Sequence, residues 1–215
     1  MASSARLVVL HLTKIRENSA VIHCISAEYG RRSFLASIPG GATALFQPLN
    51  IIDAEVSENP RSDLWRIRNI KAAFPLNGIR GNLYKNTITM FISEVLYRVI
   101  RDGANEDGLT QWLVGEILTL DSMESDFSNF HLRFLVELCA VLGFSPSPED
   151  FAPFAGEHYA DMKSLLERDF ASVMLLPLDG KSRNDIASLL LDYIGYHLET
   201  RLEVRSLKVL REIFC

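Results

Sequence analysis

Cysteine is scarce in this sequence, and the few cysteines lie far apart. There are 3 among 215 residues, at positions 24, 139 and 215, with no pair at the C-x-x-C spacing. An odd, scattered set argues against a disulfide framework and against a zinc ribbon, and it is typical of a reducing compartment. Cys24 and Cys139 lie in apolar runs, so we expect both to be small core residues.

The sequence also lacks the short motifs that carry catalysis or nucleotide binding. It has no GxxxxGK[ST], GxGxxG, GxSxG or HExxH pattern. The histidines never fall at metal-ligand spacing; they are His11, His23, His131, His158 and His197. We therefore expect that the protein is not an enzyme and that it has no cofactor and no metal site. Each histidine is expected to be a core or surface group. An active site scattered along the chain is the alternative.

Long hydrophobic runs are missing as well. No apolar stretch approaches the roughly 20 residues that a membrane-spanning helix needs, and the first residues lack the pattern of a signal peptide. The expected location is the cytoplasm.

Charge is distributed unevenly along the chain. The net charge is −5, which is unpromising for a nucleic-acid binder. However, residues 1–78 carry nine Lys and Arg against six Asp and Glu, whereas residues 79–215 carry thirteen against twenty-one. This asymmetry suggests two surfaces with different partners.

The first 78 residues have the pattern of short β-strands separated by turns. The predicted strands are Leu7–Leu12, Ala20–Ser26, Arg31–Ser37, Asn50–Ser57 and Asp63–Ala73. A polar connection is predicted over Lys14–Ser19. In the last strand, Leu64, Arg66, Arg68 and Ile70 alternate with Trp65, Ile67 and Asn69, which places the two arginines on one face. Five strands in about 75 residues have the dimensions of an OB-fold barrel.

After Gly81 the hydrophobic period changes to that of amphipathic helices. Predicted helices cover Asn82–Arg101, Leu109–Leu120, Asn129–Leu142, Ala160–Arg168, Phe170–Leu175, Ser182–His197 and Ser206–Phe214. Ser182 and Asn184 are candidate N-caps of the sixth, and Asp121 with Glu124–Asp126 is predicted to form a charged loop. The fold class is therefore α+β with two domains: an N-terminal five-stranded OB-fold over 1–78 and an all-α helical domain over 79–215.

The cations of the first half are the candidate nucleic-acid contacts. Arg31 and Arg32 follow the Glu28–Gly30 turn, where paired guanidinium groups could grip phosphates; a solvated strand edge that discourages aggregation is the alternative. Lys14, Arg16, Arg66, Arg68 and Lys71 could track a sugar–phosphate backbone, with Tyr29, Phe34 or Trp65 as stacking platforms. Core packing is the alternative for these aromatic rings.

Six segments together resemble the bacterial RecO family of DNA repair and recombination mediators, in the form found in Bacteroidetes-type bacteria. They are VLHLTKIRENSAVIHCISAEYGRRSFL, LFQPLNIIDAEV, LWRIRNIKAAFPL, ITMFISEVLYRVIRDGANEDGLTQWL, NFHLRFLVELCAVLGFSP and LEVRSLKVLREIF. Each motif is weak alone, but the six occur in the family's order and span nearly the whole chain.

The resemblance implies an OB-fold followed by a helical domain, and a nucleoid-associated protein that works without nucleotide hydrolysis. The implied function is to bind single-stranded DNA, to anneal complementary strands and to load RecA, together with RecR, onto DNA covered by single-stranded DNA-binding protein. A protein–protein adaptor with little DNA affinity is the alternative.

The sequence departs from the family pattern at two places. Many members carry a four-cysteine zinc site in the helical domain, which this chain lacks. The basic loop that usually follows the third strand is replaced by the neutral segment Ile38–Ala44, and the loss of these charges should weaken DNA binding.

The resemblance also implies a site in the helical domain for the acidic, Phe-ending tail of single-stranded DNA-binding protein. Such a tail requires an apolar pocket with a cation for its terminal carboxylate. Arg133 is our candidate for that cation, and an ordinary surface arginine is the alternative.

Overall fold

A computed structural model describes residues 2–39, 43–104 and 108–214, so Gly40, Gly41 and Ala42 of the neutral segment lie outside the described residues. The first third of the chain folds as five β-strands. They are β1 (Ala2–Arg16), β2 (Ser19–Ser26), β3 (Gly30–Ser37), β4 (Ile51–Ser57) and β5 (Trp65–Ala72). The predicted strands are confirmed, although β1 is much longer than Leu7–Leu12.

The five strands close into a barrel in the order β1-β2-β3-β5-β4. Closure depends on β1, which pairs antiparallel with β4 over Ala2–Val8 and with β2 over Val8–Arg16. The β2–β3 and β4–β5 pairs are also antiparallel, whereas β3 and β5 run parallel and share a ladder of only two residue pairs. This arrangement is an OB-fold, and the predicted fold class is confirmed.

Two local predictions about these strands were wrong. Lys14 and Arg16 belong to β1 and not to a polar connection, because the β1–β2 ladder continues to the pair Arg16–Ser19. Ile70 packs on the barrel core and not on the face of the arginines. The reason is an irregularity between β4 and β5, accompanied by a positive φ of 51° at Asn69, that shifts the alternation of inward and outward side chains.

The barrel core consists of the inward-facing residues of all five strands. Among them Leu7, Ile22, Phe34, Val56 and Ile67 are at most 2 % exposed. Their alternation with polar residues is the period-two signal that predicted the strands.

The rest of the chain is helical. The helices are α1 (Asn77–Arg80), α2 (Leu83–Val99), α3 (Leu109–Ser122), α4 (Phe130–Val141), α5 (Pro148–Phe151), α6 (Tyr159–Glu167), α7 (Phe170–Met174), α8 (Gly180–His197) and α9 (Ser206–Phe214). Among the described helices, none has both the length and the apolar character needed to cross a bilayer.

The N-cap of α8 was predicted wrongly. Asp179, and neither Ser182 nor Asn184, occupies the cap, and its carboxylate accepts a hydrogen bond of 2.7 Å from the backbone N–H of Ser182. Hydrogen bonds from the backbone N–H and the hydroxyl of Ser182 lower the pKa of Asp179. Asn184 lies inside the helix, where its side-chain amide donates to the carbonyl oxygen of Gly180.

The end of α3 holds α1 in place through Asp121, which is part of the helix and not of a loop. The carboxylate of Asp121 accepts a hydrogen bond of 2.8 Å from the backbone N–H of Ile79. Its carbonyl oxygen accepts a hydrogen bond of 3.0 Å from Nζ of Lys85, which is 3 % exposed. The backbone of Gly78 packs so closely on the same carbonyl that a Cβ atom at position 78 would lie 2.0 Å from the oxygen.

Packing divides the chain into two compact units, each formed from two segments. The barrel unit comprises Met1–Asn77 and Ser93–Thr119, and the helical unit comprises Gly78–Ile92 and Leu120–Cys215. The functional division at residues 78 and 79 stays a prediction.

Candidate nucleic-acid interface

Arg66 and Arg68 lie on one outward face of β5, as predicted. Both side chains are exposed and flank the buried Ile67. They line a pocket of about 290 Å³ between β3 and β5, together with Ser19 at the start of β2 and Ser37 at the end of β3. The β3–β5 ladder at this groove is short, with only two residue pairs. We call this surface the arginine groove.

The strand register pairs Arg16 with a residue that lines the same groove. Arg16 lies opposite Ser19 in the β1–β2 ladder, and Ser19 lies opposite Ser37 in the β2–β3 ladder. Directly opposed residues of antiparallel strands have their side chains on one face, so Arg16 shares the face of the two serines. Lys14 lies opposite Ala20, a core residue, and is itself exposed at the rim of the barrel.

The positive charges of the arginine groove are available to a negatively charged ligand. Among residues 2–39, 43–104 and 108–214, no acidic group forms an ion pair with Arg16, Arg66, Arg68 or Lys14. The cross-strand neighbour of Arg68 is Glu55, on β4. Such a face can compensate the charge of a phosphate backbone without first breaking an ion pair.

Arg32 lies on β3 and covers an aromatic ring. Its guanidinium carbon is 4.0 Å from the ring centroid of Trp65, and Tyr29 packs edge-on against the same ring at 5.3 Å. Trp65 and Tyr29 are both half-buried, and their role as stacking platforms stays a prediction. Phe34 is 1 % exposed and belongs to the core, which excludes it as a stacking platform.

Arg31 points into the barrel unit and is 8 % exposed. Its guanidinium donates to the carbonyl oxygen of Ile100, lies 3.2 Å from the carboxylate of Asp102 and covers the ring of Tyr97 at 4.5 Å. Its backbone pairs with Gly103 and Ala104. Arg31 and Arg32 line one pocket of about 390 Å³, but the guanidinium of Arg31 is already engaged.

We expect Arg31→Gln to act on stability and not on DNA binding. Losing a charged donor to a buried carbonyl costs about 2–3 kcal/mol, whereas Arg32→Gln, which removes a half-exposed cation–π contact, should cost about 1 kcal/mol or less. Urea unfolding of both variants measures this difference. A variant Arg31→Gln that unfolds like the parent but binds DNA with a reduced salt dependence would contradict the assignment.

Arg133 lies on α4 and is also engaged. Its Nε donates a hydrogen bond of 2.6 Å to Glu137 one turn later, and another guanidinium nitrogen donates to the carbonyl oxygen of Arg168 at 3.2 Å. A carboxylate of a peptide tail would have to displace Glu137. Its role as a tail-binding cation stays a prediction.

The cysteines of the described chain are core residues. Cys24 and Cys139 are both completely buried. Burial raises the pKa of the Cys24 thiol and raises the pKa of the Cys139 thiol to about 12, so neither is a reactive thiolate. Among the described residues, no three His, Cys, Asp or Glu side chains are grouped as metal ligands would be.

The strand order, the closure of the barrel and the helices that follow define a protein of the OB-fold class with an appended helical region. Comparison with known proteins gives the family. Residues 80–152 match the sequence model described as "Recombination protein O C terminal". The chain is 31 % identical to the DNA repair protein RecO of Phocaeicola vulgatus, over 96 % of this chain and 97 % of that protein.

Two further relatives carry the same family name. The DNA repair protein RecO of Bacteroides fragilis is 29 % identical over 96 % of this chain and 97 % of its own length. That of Flavobacterium psychrophilum is 27 % identical over the whole of both chains. The chain belongs to the DNA repair protein RecO family.

Proposed function

We propose that the protein is a non-enzymatic recombination mediator that binds single-stranded DNA through the arginine groove of its barrel. In this proposal it anneals complementary strands and helps RecR to load RecA onto DNA covered by single-stranded DNA-binding protein. The observation that carries the proposal is the pair of exposed arginines, Arg66 and Arg68, that line one groove of the barrel, with Arg16 paired to Ser19, another residue of its lining. Membership of a DNA repair family supports it.

The contacts follow from the chemistry of the groove. Guanidinium groups bind phosphate oxygens bidentately, and the hydroxyl groups of Ser19 and Ser37 between them can donate to the same oxygens. Lys14 at the rim would add a further phosphate contact. Nothing in the groove reads base identity, so we expect binding of any sequence.

The double variant Arg66→Gln/Arg68→Gln tests the groove. The slope of log affinity against log salt concentration should become shallower by about 1.4, because each lost contact to single-stranded DNA contributes about 0.7. Fluorescence anisotropy of labelled oligothymidine over a series of NaCl concentrations gives this slope. The matched control Lys163→Gln/Arg201→Gln removes the same charge from exposed side chains of the helical unit.

The control should keep the parent slope. If both double variants lose affinity equally, net charge and not the groove governs binding. If the slope of Arg66→Gln/Arg68→Gln equals that of the parent, the proposal is wrong. The mediator step is tested separately, by RecA-dependent ATP hydrolysis on single strands coated with single-stranded DNA-binding protein, with RecR present.

The engagement of Arg31 favours one second candidate, an adaptor that binds protein partners and has little DNA affinity. The internal contacts of Arg31 remove one cation from the surface that the sequence suggested. An adaptor would bind a peptide copying the acidic tail of single-stranded DNA-binding protein, and it would show no measurable affinity for oligothymidine at low salt.

A further inference from the structure

A pocket of about 580 Å³ lies between the α5 region and the second half of α8, wholly within the helical unit. Its lining is mostly aromatic. The rings come from Phe151, Phe154, Tyr193, Tyr196 and His197. On α8 the lining residues recur at positions 189, 192, 193, 196 and 197, which is the spacing of one helix face. We call this site the aromatic pocket.

Several rings of the aromatic pocket pack on one another or on a neighbouring ring. The ring of His197 stacks on Phe144 with 4.7 Å between centroids and 5° between planes. Tyr193 packs against His197 at 4.5 Å and against Phe151 at 5.2 Å. Since these rings support one another, the pocket does not need a ligand to form.

The lining of the aromatic pocket includes two large side chains that the described chain leaves uncovered. Phe154 is 73 % exposed and Tyr196 is 80 % exposed. Single exposed hydrophobic residues are ordinary, but two rings at the edges of one concave site are typical of an interaction surface.

Two carboxylates give the aromatic pocket its charge. Asp150 and Asp192 line it, and the described lining includes no lysine or arginine. One oxygen of Asp150 accepts hydrogen bonds from the backbone N–H and the hydroxyl of Ser147. Asp192 is exposed and forms no ion pair with another described residue. Burial and the negative charge of Asp150 together raise the pKa of Tyr193 to about 12, which agrees with a site that disfavours further negative charge.

The charge and the ring faces together select the occupant. A phosphate backbone or an acidic tail would be repelled by both carboxylates. A planar guanidinium group stacks on aromatic rings and pairs with carboxylates, and an ammonium group does this less well. The volume exceeds that of one side chain, so it also accommodates apolar neighbours of the inserted residue.

We propose that the aromatic pocket is the docking site for an arginine side chain on a partner protein, carried by a segment with apolar residues beside the arginine. Asp192 pairs with the guanidinium group, while Tyr196 and Phe154 cover its faces. This inference concerns a different surface from the arginine groove and does not depend on DNA binding.

Peptide titration followed by ¹H–¹⁵N correlation NMR of the full chain tests the proposal. The probe is acetyl-Ala-Leu-Arg-Leu-Ala-amide, and its control replaces arginine with citrulline, which has nearly the same shape but no charge. The arginine peptide should shift the signals of residues 150–154 and 189–197. It should bind at least about fivefold more tightly than the citrulline peptide, because the uncharged citrulline can form neither the cation–π contact nor the ion pair with a carboxylate.

Variants of the pocket residues test whether the arginine peptide binds in the aromatic pocket. Asp192→Asn and Tyr196→Ala should each weaken the arginine peptide about fivefold or more, whereas Glu212→Gln, an exposed acid on α9, should not. Both pocket variants alter exposed side chains and should leave the affinity for oligothymidine unchanged. Equal binding of the two peptides, shifts confined to other residues, or unchanged affinity in Asp192→Asn would each overturn the proposal.

Discussion

Gly78→Ala is expected to destabilise the protein by about 3 kcal/mol or more, because the new methyl group has no space that the structure can provide. Its carbon would lie 2.0 Å from the carbonyl oxygen of Asp121. That oxygen is backbone and also accepts the hydrogen bond from Lys85, and the side chain of Asp121 is bonded to the N–H of Ile79. Relief of the clash would therefore disturb two hydrogen bonds of Asp121, one from the buried Lys85 and one from the backbone of Ile79.

The matched control is Gly115→Ala, in the middle of α3. A Cβ atom at position 115 would meet nothing within 4 Å, so this variant should be neutral or more stable by about 0.5–1 kcal/mol, from the better helix propensity of alanine. Urea unfolding followed by circular dichroism measures both variants. A loss below about 1 kcal/mol for Gly78→Ala would mean that α1 and the end of α3 separate easily.

The second large effect is a loss of stability at acidic pH that depends on His131. This side chain is 1 % exposed on α4, and the edge-on ring of Phe91 lies 5.8 Å away. Burial, reinforced by the positive charge of Arg183, lowers its pKa to about 3. In the folded protein the imidazole therefore stays neutral through most of the acidic range.

The unfolded chain binds this proton with the ordinary histidine pKa of about 6.5, so acid favours unfolding. The part of the unfolding free energy that depends on a neutral His131 is fully present above about pH 6.5. It is lost as the pH falls towards about 3. Each unit of pKa difference is worth about 1.4 kcal/mol, which gives a total of about 4–5 kcal/mol.

Unfolding free energies from pH 8 to pH 3 for the parent, His131→Gln and His131→Leu test this. In both variants the unfolding free energy should fall less steeply with decreasing pH between pH 6 and pH 4, whatever their stability at neutral pH. From pH 7 to pH 8 the difference between parent and variant should be constant, which is the internal control. Parallel curves over the whole range would show that His131 has the same pKa in the folded and the unfolded protein.

The strands were predictable because their signal is local. Alternation of apolar and polar residues places each strand on a half-buried sheet, whatever its partners are. The wrong predictions fell where the neighbouring strand determines the structure. The extension of β1 to Arg16 depends on Ser19 across the ladder, and the inward turn of Ile70 depends on an irregularity opposite β4. Neither cause is visible within its own segment.

The candidate site was predictable by residue type and not by arrangement. Arg66 and Arg68 could be placed on one face from their spacing alone. The addition of Arg16 required the register of three strands. The internal engagement of Arg31 by Ile100 and Asp102 required a contact across about seventy residues of sequence. The aromatic pocket had no signal, because its two sides come from segments that are separate in the chain.

The dual pairing of β1 also has a consequence for how the protein folds. The hairpins β1–β2 and β2–β3 join neighbouring segments and can form early. The pairs from Ala2–Ser57 to Val8–Ile51, however, must close a long loop of chain before they gain any energy. Until β4 arrives, the first half of β1 presents a bare row of amide and carbonyl groups, and a second nascent copy can occupy that row. We therefore expect the yield of refolding to fall with protein concentration, and the slowest step to be the closure of the barrel.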